Sequence, residues 1–209
     1  VVLTMLFSAI SFGCCIMYAV RFYKNLFTDE GYITWTLPAS PLTQLWAKIL
    51  SASIWYVLDL TICFAAAWFL ISGDNIQSAL ERIKPDFQAA LGMSFSSFCG
   101  LVVFFSFVGI LSCVLFIYTS IAIGQLVPAH RIIVSIAVYF ILNLITQIIS
   151  IGVSIITSVF PDYVFSPAQT SFSEYFFQML LIGTCTTTVL AIAGYFITYR
   201  ILQRKVNLI

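Results

Sequence analysis

Few side chains in this sequence can do chemistry, and most of them lie inside apolar segments. Asp59 is the only charged residue between positions 49 and 71. If this segment crosses a membrane, a charge near its centre costs roughly 2.5–3.5 kcal/mol on insertion scales, so Asp59 should face a helix interface or a wet cavity. It can serve as a proton relay or cation contact, or it can hydrogen-bond to a neighbouring helix. The sequence leaves both interpretations open.

A second group of polar residues, Asn143, Thr146 and Gln147, interrupts the apolar segment 132–160. Residues three and four apart share one face of a helix, so the three side chains form a polar stripe. Such a stripe can line a translocation path, with Asn143 and Gln147 as its amides, or it can hold helices together by hydrogen bonds.

Several kinds of site are excluded by residue type. The sequence has one histidine, His130, and no C-x-x-C among its six cysteines, which argues against a metal site; the cysteines are interpreted as reduced, small packing residues. No lysine follows a glycine, so the phosphate loop G-x-x-x-x-G-K-[ST] is missing and this chain has no ATPase motif. A lone intramembrane aspartate also lacks the partner groups that an intramembrane protease needs.

The composition defines the kind of protein that must position these groups. Of 209 residues, 61% are apolar and only 8% are charged, whereas soluble domains carry about 25% charged residues. So few charges cannot cover a water-facing surface, and no basic face for nucleic acid exists. The composition excludes a soluble enzyme, a disordered chain, a coiled coil and a nucleic-acid binder, and it indicates an integral membrane protein.

A transmembrane helix needs about 20 apolar residues. Five segments meet this requirement: 1–20, 49–71, 98–123, 132–160 and 175–199. They are apolar on every face, which favours helices over the alternating strands of a barrel. We therefore predict an all-α polytopic transmembrane bundle that forms a single domain over residues 1–209. The segment 132–160 must tilt, extend past the lipid, or bend near Gly152.

Basic residues predict the orientation, because cytoplasmic loops are enriched in lysine and arginine. Only Arg82 and Lys84 lie on one side of the predicted bundle. Seven lie on the other side: Arg21, Lys24, Lys48, Arg131, Arg200, Arg204 and Lys205. That side, with the C-terminus, is predicted to be cytoplasmic. Five crossings then place Val1 outside, so we expect at least one further helix before Val1 and six crossings in the full-length protein.

The cytoplasmic segment 21–48 is too long for a tight turn. Thr28 precedes two acidic residues, which predicts a capped helix start, and Pro38 predicts its end. Ser40 and Pro41 predict the cap and first turn of a second helix that continues into the next crossing. The segment is then a short helix across the membrane face. It is either an interfacial helix anchored by tryptophans or a docking element for a cytoplasmic partner.

This segment, DEGYITWTLPASPLTQLWAK, resembles the loop between the second and third helices of ATP-binding-cassette exporter permeases of the second permease class, the type V exporters. The family positions are filled by Asp29, Glu30, Gly31, Leu37, Pro38, Ala39, Ser40 and Lys48. The variant that it resembles most occurs in Gram-positive bacteria. Two positions depart from the family pattern: Pro41 stands where a basic residue is common, and Tyr32 follows Gly31 in place of threonine.

In the family this loop is the coupling helix, which sits in a cleft of the ATPase subunit. The resemblance implies that the following residues dock that subunit: Thr28, Asp29, Glu30, Gly31, Thr34, Leu37, Pro38, Ala39 and Ser40. It also implies a bacterial plasma-membrane permease that pairs with a second copy or a homologous permease. A separate cytoplasmic subunit would bind ATP and Mg, and the cargo would be a lipid-like molecule, a drug or an antimicrobial peptide. The alternatives are a proton-coupled secondary transporter that uses Asp59, and a non-transporting sensor or immunity subunit.

Two further segments are predicted on the outer side. Residues 72–97 form an amphipathic segment, which we expect to be a surface helix or a lid that is kinked or split at Pro85. Its apolar face comprises Ile76, Leu80, Ile83, Phe87 and Leu91. Residues 161–174 are either an ordinary loop or a short re-entrant element to which Phe172, Tyr175 and Phe176 belong.

Overall fold

The structure is a computed structural model that describes residues 2–28, 31, 36, 40–71, 74–159 and 172–204. These residues are 92% helical and contain no strand, which confirms the all-α prediction. Their helices are α1 (Val2–Phe27), α2 (Pro41–Ile71), α3 (Asp74–Leu91), α4 (Phe95–Gly124), α5 (Arg131–Ile156) and α6 (Phe172–Arg204).

Within the described part of the chain, four stretches are long and apolar enough to cross a membrane. They are Pro41–Phe69, Phe95–Gly124, Arg131–Ile156 and Phe172–Gln203. Large apolar side chains stand exposed along them, among them Phe69 at 82% and Ile156 at 83%. Large apolar side chains exposed to this extent are expected to contact lipid and not water. The chain is therefore a multi-pass membrane protein. The predicted crossing 1–20 lies in α1, which is not among the four, so that crossing stays a prediction.

The chain divides into two compact units. The first comprises Val1–Leu60, Ile110–Leu144 and Val189–Ile209, and the second comprises Thr61–Gly109 and Ile145–Thr188. The boundaries fall inside α2, α4, α5 and α6, whereas α1 belongs wholly to the first unit and α3 to the second. The predicted single domain over 1–209 stays a prediction.

The first unit has an apolar core to which α1, α2, α4 and α6 contribute. The ring of Phe22 stacks on that of Tyr118 with centroids 3.7 Å apart. The other members of this core are Tyr18, Leu26, Phe27, Leu45, Ile49, Ala52, Val114, Ile117, Ile121 and Leu202. Because α1 supplies four of these side chains, it is an integral part of the unit.

Small residues let helices approach closely in the first unit, as is common in membrane bundles. At Gly194 of α6, an added Cβ would lie 2.6 Å from the Thr119 hydroxyl of α4. At Gly124 an added Cβ would meet the Ser135 hydroxyl and would lie 2.8 Å from the Arg131 carbonyl oxygen. The turn from α4 to α5 is therefore tight.

In the second unit, α3 covers residues 74–91 of the predicted amphipathic segment 72–97 as one helix with Pro85 inside it, so the helix is not split there. Ile83 of its predicted apolar face is 58% exposed. Phe87 packs edge-on against Phe95 and Phe98, with ring centroids 5.6 and 5.1 Å away. Of the described side chains of this face, Phe87 and Leu91 are half-buried and Ile83 is exposed.

The structure changes one predicted boundary near the end of the chain and places three aromatic residues of a second predicted segment. The helix α5 passes through Gly152 and ends at Ile156, short of the predicted residue 160, and a turn with Ser158 at a φ of 60° follows. The three aromatic residues assigned to a re-entrant element, Phe172, Tyr175 and Phe176, lie in the first turns of α6. Residues 161–171 of the predicted segment 161–174 lie outside the described residues, so the choice between a loop and a re-entrant element stays open.

Gly124→Ala should destabilise the protein by about 1–3 kcal/mol, because the new methyl group meets backbone atoms of α5 that cannot move aside independently. The matched control is Gly183→Ala in α6, where an added Cβ has nothing within 4 Å. Better helix propensity should leave that variant equally or more stable. Unfolding midpoints in detergent measure both effects. Equal midpoints for the two variants would contradict the tight α4–α5 turn.

Candidate functional site

The structure changes the N-terminal boundary of the predicted cytoplasmic segment 21–48. The helix α1 continues to Phe27, so residues from Arg21 onward are helical and not loop. The Thr28 hydroxyl donates to the Lys24 carbonyl oxygen at 2.6 Å, and the Thr28 carbonyl oxygen accepts from Gly31 N at 2.7 Å. Thr28 thus closes α1, and the described residues Gly31 and Thr36 that follow are again helical, so its role as the start of a new helix stays a prediction. A threonine hydroxyl can satisfy the carbonyl four residues back, and this competes with capping.

The C-terminal side of the segment follows the prediction. The Ser40 hydroxyl accepts from Thr43 N at 3.2 Å, and α2 begins at Pro41 and continues without a break to Ile71. Of the other predicted docking residues, Gly31 is buried. The rest lie outside the described residues: Asp29, Glu30, Thr34, Leu37, Pro38 and Ala39.

The helix ends that flank the predicted docking residues, 28–40, both pack into the core of the first unit. Leu26 and Phe27 at the end of α1 are 0% and 2% exposed, and Leu45 near the start of α2 is 1% exposed. All three belong to the cluster that contains Tyr118. The Tyr118 hydroxyl donates to the Lys48 carbonyl oxygen of α2 at 3.0 Å. The ends of α1 and α2 therefore share one buried core with α4.

Asp59, the predicted polar residue of the path, makes a contact between two helices. Its Oδ2 accepts a hydrogen bond from the Ser11 hydroxyl of α1 at 3.2 Å, and the pair is partly buried. Among the described residues of the first unit, Asp59 is the only acidic one. The hydrogen-bonding interpretation of this carboxylate is thus observed, while a proton relay stays a prediction.

The predicted polar stripe on α5 is not uniformly buried. Asn143 is half-buried and donates to the Tyr139 carbonyl oxygen of its own helix at 2.8 Å. Thr146 is buried, whereas Gln147 is exposed. The structure therefore leaves the path role of Asn143 and Gln147 as a prediction.

A cluster of cysteine and tyrosine side chains joins four helices of the first unit. The Cys15 thiol of α1 lies 2.7 Å from the Tyr56 hydroxyl of α2. Cys113 of α4 is a neighbour of Cys15, Tyr139 of α5 is a neighbour of Cys113, and all four side chains pack against the same core. We name these four residues the cysteine–tyrosine cluster. The sequence gives no signal for it, because the contact depends on which helices pair and in which register.

The first unit also contains a cleft of about 150 Å³ between α1, α2 and α4. Its basic residues are Arg21 and Lys48, with Asn25 and Ser51 as further polar side chains. The remaining lining residues are Tyr18, Phe22, Ala47, Ala52, Trp55 and Tyr118. In the sequence, Arg21 and Lys48 indicate only the orientation of the chain in the membrane. Their proximity becomes visible once α1 is known to extend past Arg21 beside α2.

Comparison with protein-family models, with curated proteins and with solved structures finds no match for this chain. Within the described residues, no group of three histidine, cysteine or acidic side chains is placed to hold a metal ion. The functional interpretation consequently depends on the motif in segment 21–48 and on the packing of the helices that carry it.

Asp59→Asn should leave the fold and assembly intact, because the amide oxygen can still accept the hydrogen bond from Ser11. We expect an unchanged elution position and an unfolding midpoint within about 1 kcal/mol of the wild type. Size-exclusion chromatography and thermal unfolding in detergent test this. Loss of the assembled protein would show that the charge itself is structural.

Mild oxidation with copper–phenanthroline should join Cys15 to Cys113, because the two thiols are neighbours in the cysteine–tyrosine cluster. Each thiol loses a proton and an electron as the disulfide forms, and the copper oxidant takes up the electrons. Peptide mass spectrometry identifies the link, and Cys113→Ala is the control that should abolish it. Linkage of Cys15 to Cys63 or Cys185 instead would contradict the helix pairing.

Proposed function

We propose that this chain is a transmembrane permease subunit of an ATP-binding-cassette exporter. It moves an amphipathic substrate by alternating access, and ATP hydrolysis on a separate cytoplasmic subunit drives the movement. The observation that carries the proposal is the anchoring of the motif-bearing segment between α1 and α2, whose ends share one buried core.

A motor subunit can move a membrane protein only through an element that transmits motion to a packed unit. Residues 29–39 connect the buried end of α1 to the capped start of α2. Stacking of Phe22 on Tyr118 extends the connection to α4. Because packed cores resist local deformation, a push on the segment should displace these helices together.

In this proposal the permease forms the translocation path and a separate subunit binds ATP. The chain lacks the phosphate loop, so ATP and Mg belong to the partner subunit. A second copy of this chain, or a homologous permease, would enclose the path, and one ATPase subunit would dock on each coupling segment. The apolar character of the crossings favours an amphipathic cargo such as a lipid-like molecule, a drug or an antimicrobial peptide.

Charge reversal at Glu30 together with Leu37→Asp should uncouple export from ATP hydrolysis, because both residues lie in the segment that we assign to the ATPase cleft. We expect export by the reconstituted complex to fall at least roughly tenfold, as a docking contact worth more than about 1.4 kcal/mol is lost. The ATPase subunit should also cease to copurify with the full-length chain.

The matched control is Glu81→Lys, which reverses an exposed acidic charge on α3 far along the chain from the segment. Export by that variant should equal that of the wild type. Undiminished export by the Glu30 and Leu37 variant would refute the docking role, as would an equal loss in the control.

The alternative is a proton-coupled secondary transporter, which is favoured by the partly buried Asp59 and its contact with Ser11. Under that mechanism a pH gradient alone drives uptake into liposomes without any ATPase subunit, and Asp59→Asn abolishes it. Under the exporter mechanism the gradient alone drives none. Substrate-dependent ATP turnover by the complex would in addition exclude a sensor or immunity subunit.

A further inference from the structure

We infer that the cleft between α1 and α2 binds the phosphate of an anionic phospholipid headgroup, with Arg21 and Lys48 as its cationic contacts. The inference requires that the chain lies in a membrane, and it does not depend on ATP-driven transport. It concerns a lipid site on the permease and not the cargo.

The polar side of the cleft is assembled from two helices. Arg21 and Asn25 are four residues apart on α1, while Lys48 and Ser51 are three residues apart on α2, so each pair shares one helix face. The two faces meet at the same cleft and bring a guanidinium, an ammonium, an amide and a hydroxyl together. Guanidinium and ammonium groups are the usual protein contacts for phosphate oxygens.

The charge of the cleft is positive on the described residues. No acidic side chain lines it. The only acidic residue that is described in this unit, Asp59, accepts a hydrogen bond from Ser11 and is not among the lining residues. A basic pocket between helices at the cytoplasmic end of a bundle is the environment in which anionic headgroups bind.

The size of the cleft suits a headgroup phosphate. Its volume of about 150 Å³ is in the range at which a cavity in a protein accepts a group as large as benzene. The small side chains of Ala47 and Ala52 leave this space open on the α2 side.

The wall of the cleft is part of the packed core. Phe22 is 1% exposed and Tyr118 is 3% exposed, and their rings are stacked at an interplanar angle of 11°. The Tyr118 hydroxyl holds the Lys48 carbonyl oxygen at 3.0 Å, which fixes the turn of α2 that carries the lysine. A site whose framework is already ordered loses less entropy when its ligand binds.

The apolar rim favours a lipid over a soluble phosphate. Ser51, Trp55 and Leu58 follow one face of α2 at a spacing of four and three residues. Trp55 is 52% exposed and Leu58 is 47% exposed. A headgroup at the level of Ser51 would leave its acyl chains against these two side chains, and tryptophan prefers this interfacial depth. A free phosphate ion has no acyl chains, so contact with Trp55 and Leu58 would not contribute to its binding.

The test is native mass spectrometry of the full-length protein, titrated with dioleoyl phosphatidylglycerol or with dioleoyl phosphatidylcholine. The wild type should retain phosphatidylglycerol and should bind the zwitterionic lipid at least roughly tenfold more weakly. Arg21→Gln combined with Lys48→Gln should remove this preference. Arg21→Lys combined with Lys48→Arg keeps both charges and should retain it.

The matched control is Arg82→Gln combined with Lys84→Gln, which removes two exposed positive charges from α3 and should leave lipid binding unchanged. If the control variant lost the preference for phosphatidylglycerol to the same extent, the preference would depend only on the net charge of the protein. That result would overturn the proposed site. Unchanged binding by the Arg21 and Lys48 variant would also overturn it. Displacement of the lipid by an equal concentration of inorganic phosphate would assign the cleft to a free anion and would overturn the lipid assignment.

If the double variant does not fold, Arg21→Gln alone serves as the test, since Arg21 is exposed and its replacement leaves the core intact. This single variant should bind phosphatidylglycerol several-fold more weakly than the wild type. Wild-type affinity in Arg21→Gln would refute the proposal. Neither experiment needs the ATPase subunit, so a failure here is distinct from a failure of the exporter function.

Discussion

The packing of the end of α1 against α2 and α4 is the interaction on which the functional interpretation depends. Leu26, Phe27 and Leu45 bury the two helix ends that flank residues 29–39 in one cluster with Tyr118. Without this packing, residues 29–39 would be a flexible connection between two independent helices. Movement of a bound partner would then not be transmitted to the helices. With this packing, the segment and three helices should move as one unit, which is what mechanical coupling requires.

The same packing brings several polar side chains of the first unit into contact between helices. Once α1 lies beside α2, the Asp59 carboxylate meets Ser11, and Cys15 meets Tyr56. Hydrogen bonds of this kind add modestly to helix association in a membrane, where polar groups seek partners among neighbouring helices. Arg21 and Lys48 come to line one cleft for the same reason. Helix association and the candidate lipid site thus share a single structural cause.

Much of the fold could be predicted because length and composition decide it. A run of about 20 apolar residues needs no tertiary information to be recognised as a membrane span, and four of the predicted segments coincide with helices of this kind. Ser40 was predictable as a cap because its chemistry is local. The end of α1 was not, since Arg21 and Lys24 suggested a loop. In fact the helix carries these cations on its side and buries Phe22 and Leu26.

The contacts that were missed depend on helix pairing and register. The proximity of Cys15 to Cys113, and of Arg21 to Lys48, joins residues far apart in the chain, and no spacing rule connects them. The docking segment could be proposed only from its resemblance to exporter permeases, because residues 29–30, 32–35 and 37–39 lie outside the described part of the chain.

Photo-crosslinking from position 37 in intact membranes tests most directly whether a separate ATPase subunit binds residues 29–39. With a photoreactive amino acid in place of Leu37, we expect a covalent adduct to a nucleotide-binding subunit that forms on the cytoplasmic side. The same group at Ile83 of α3 should give no such adduct. Adducts that form only with lipid, or labelling of position 37 by a reagent confined to the outer side of the membrane, would contradict the coupling role.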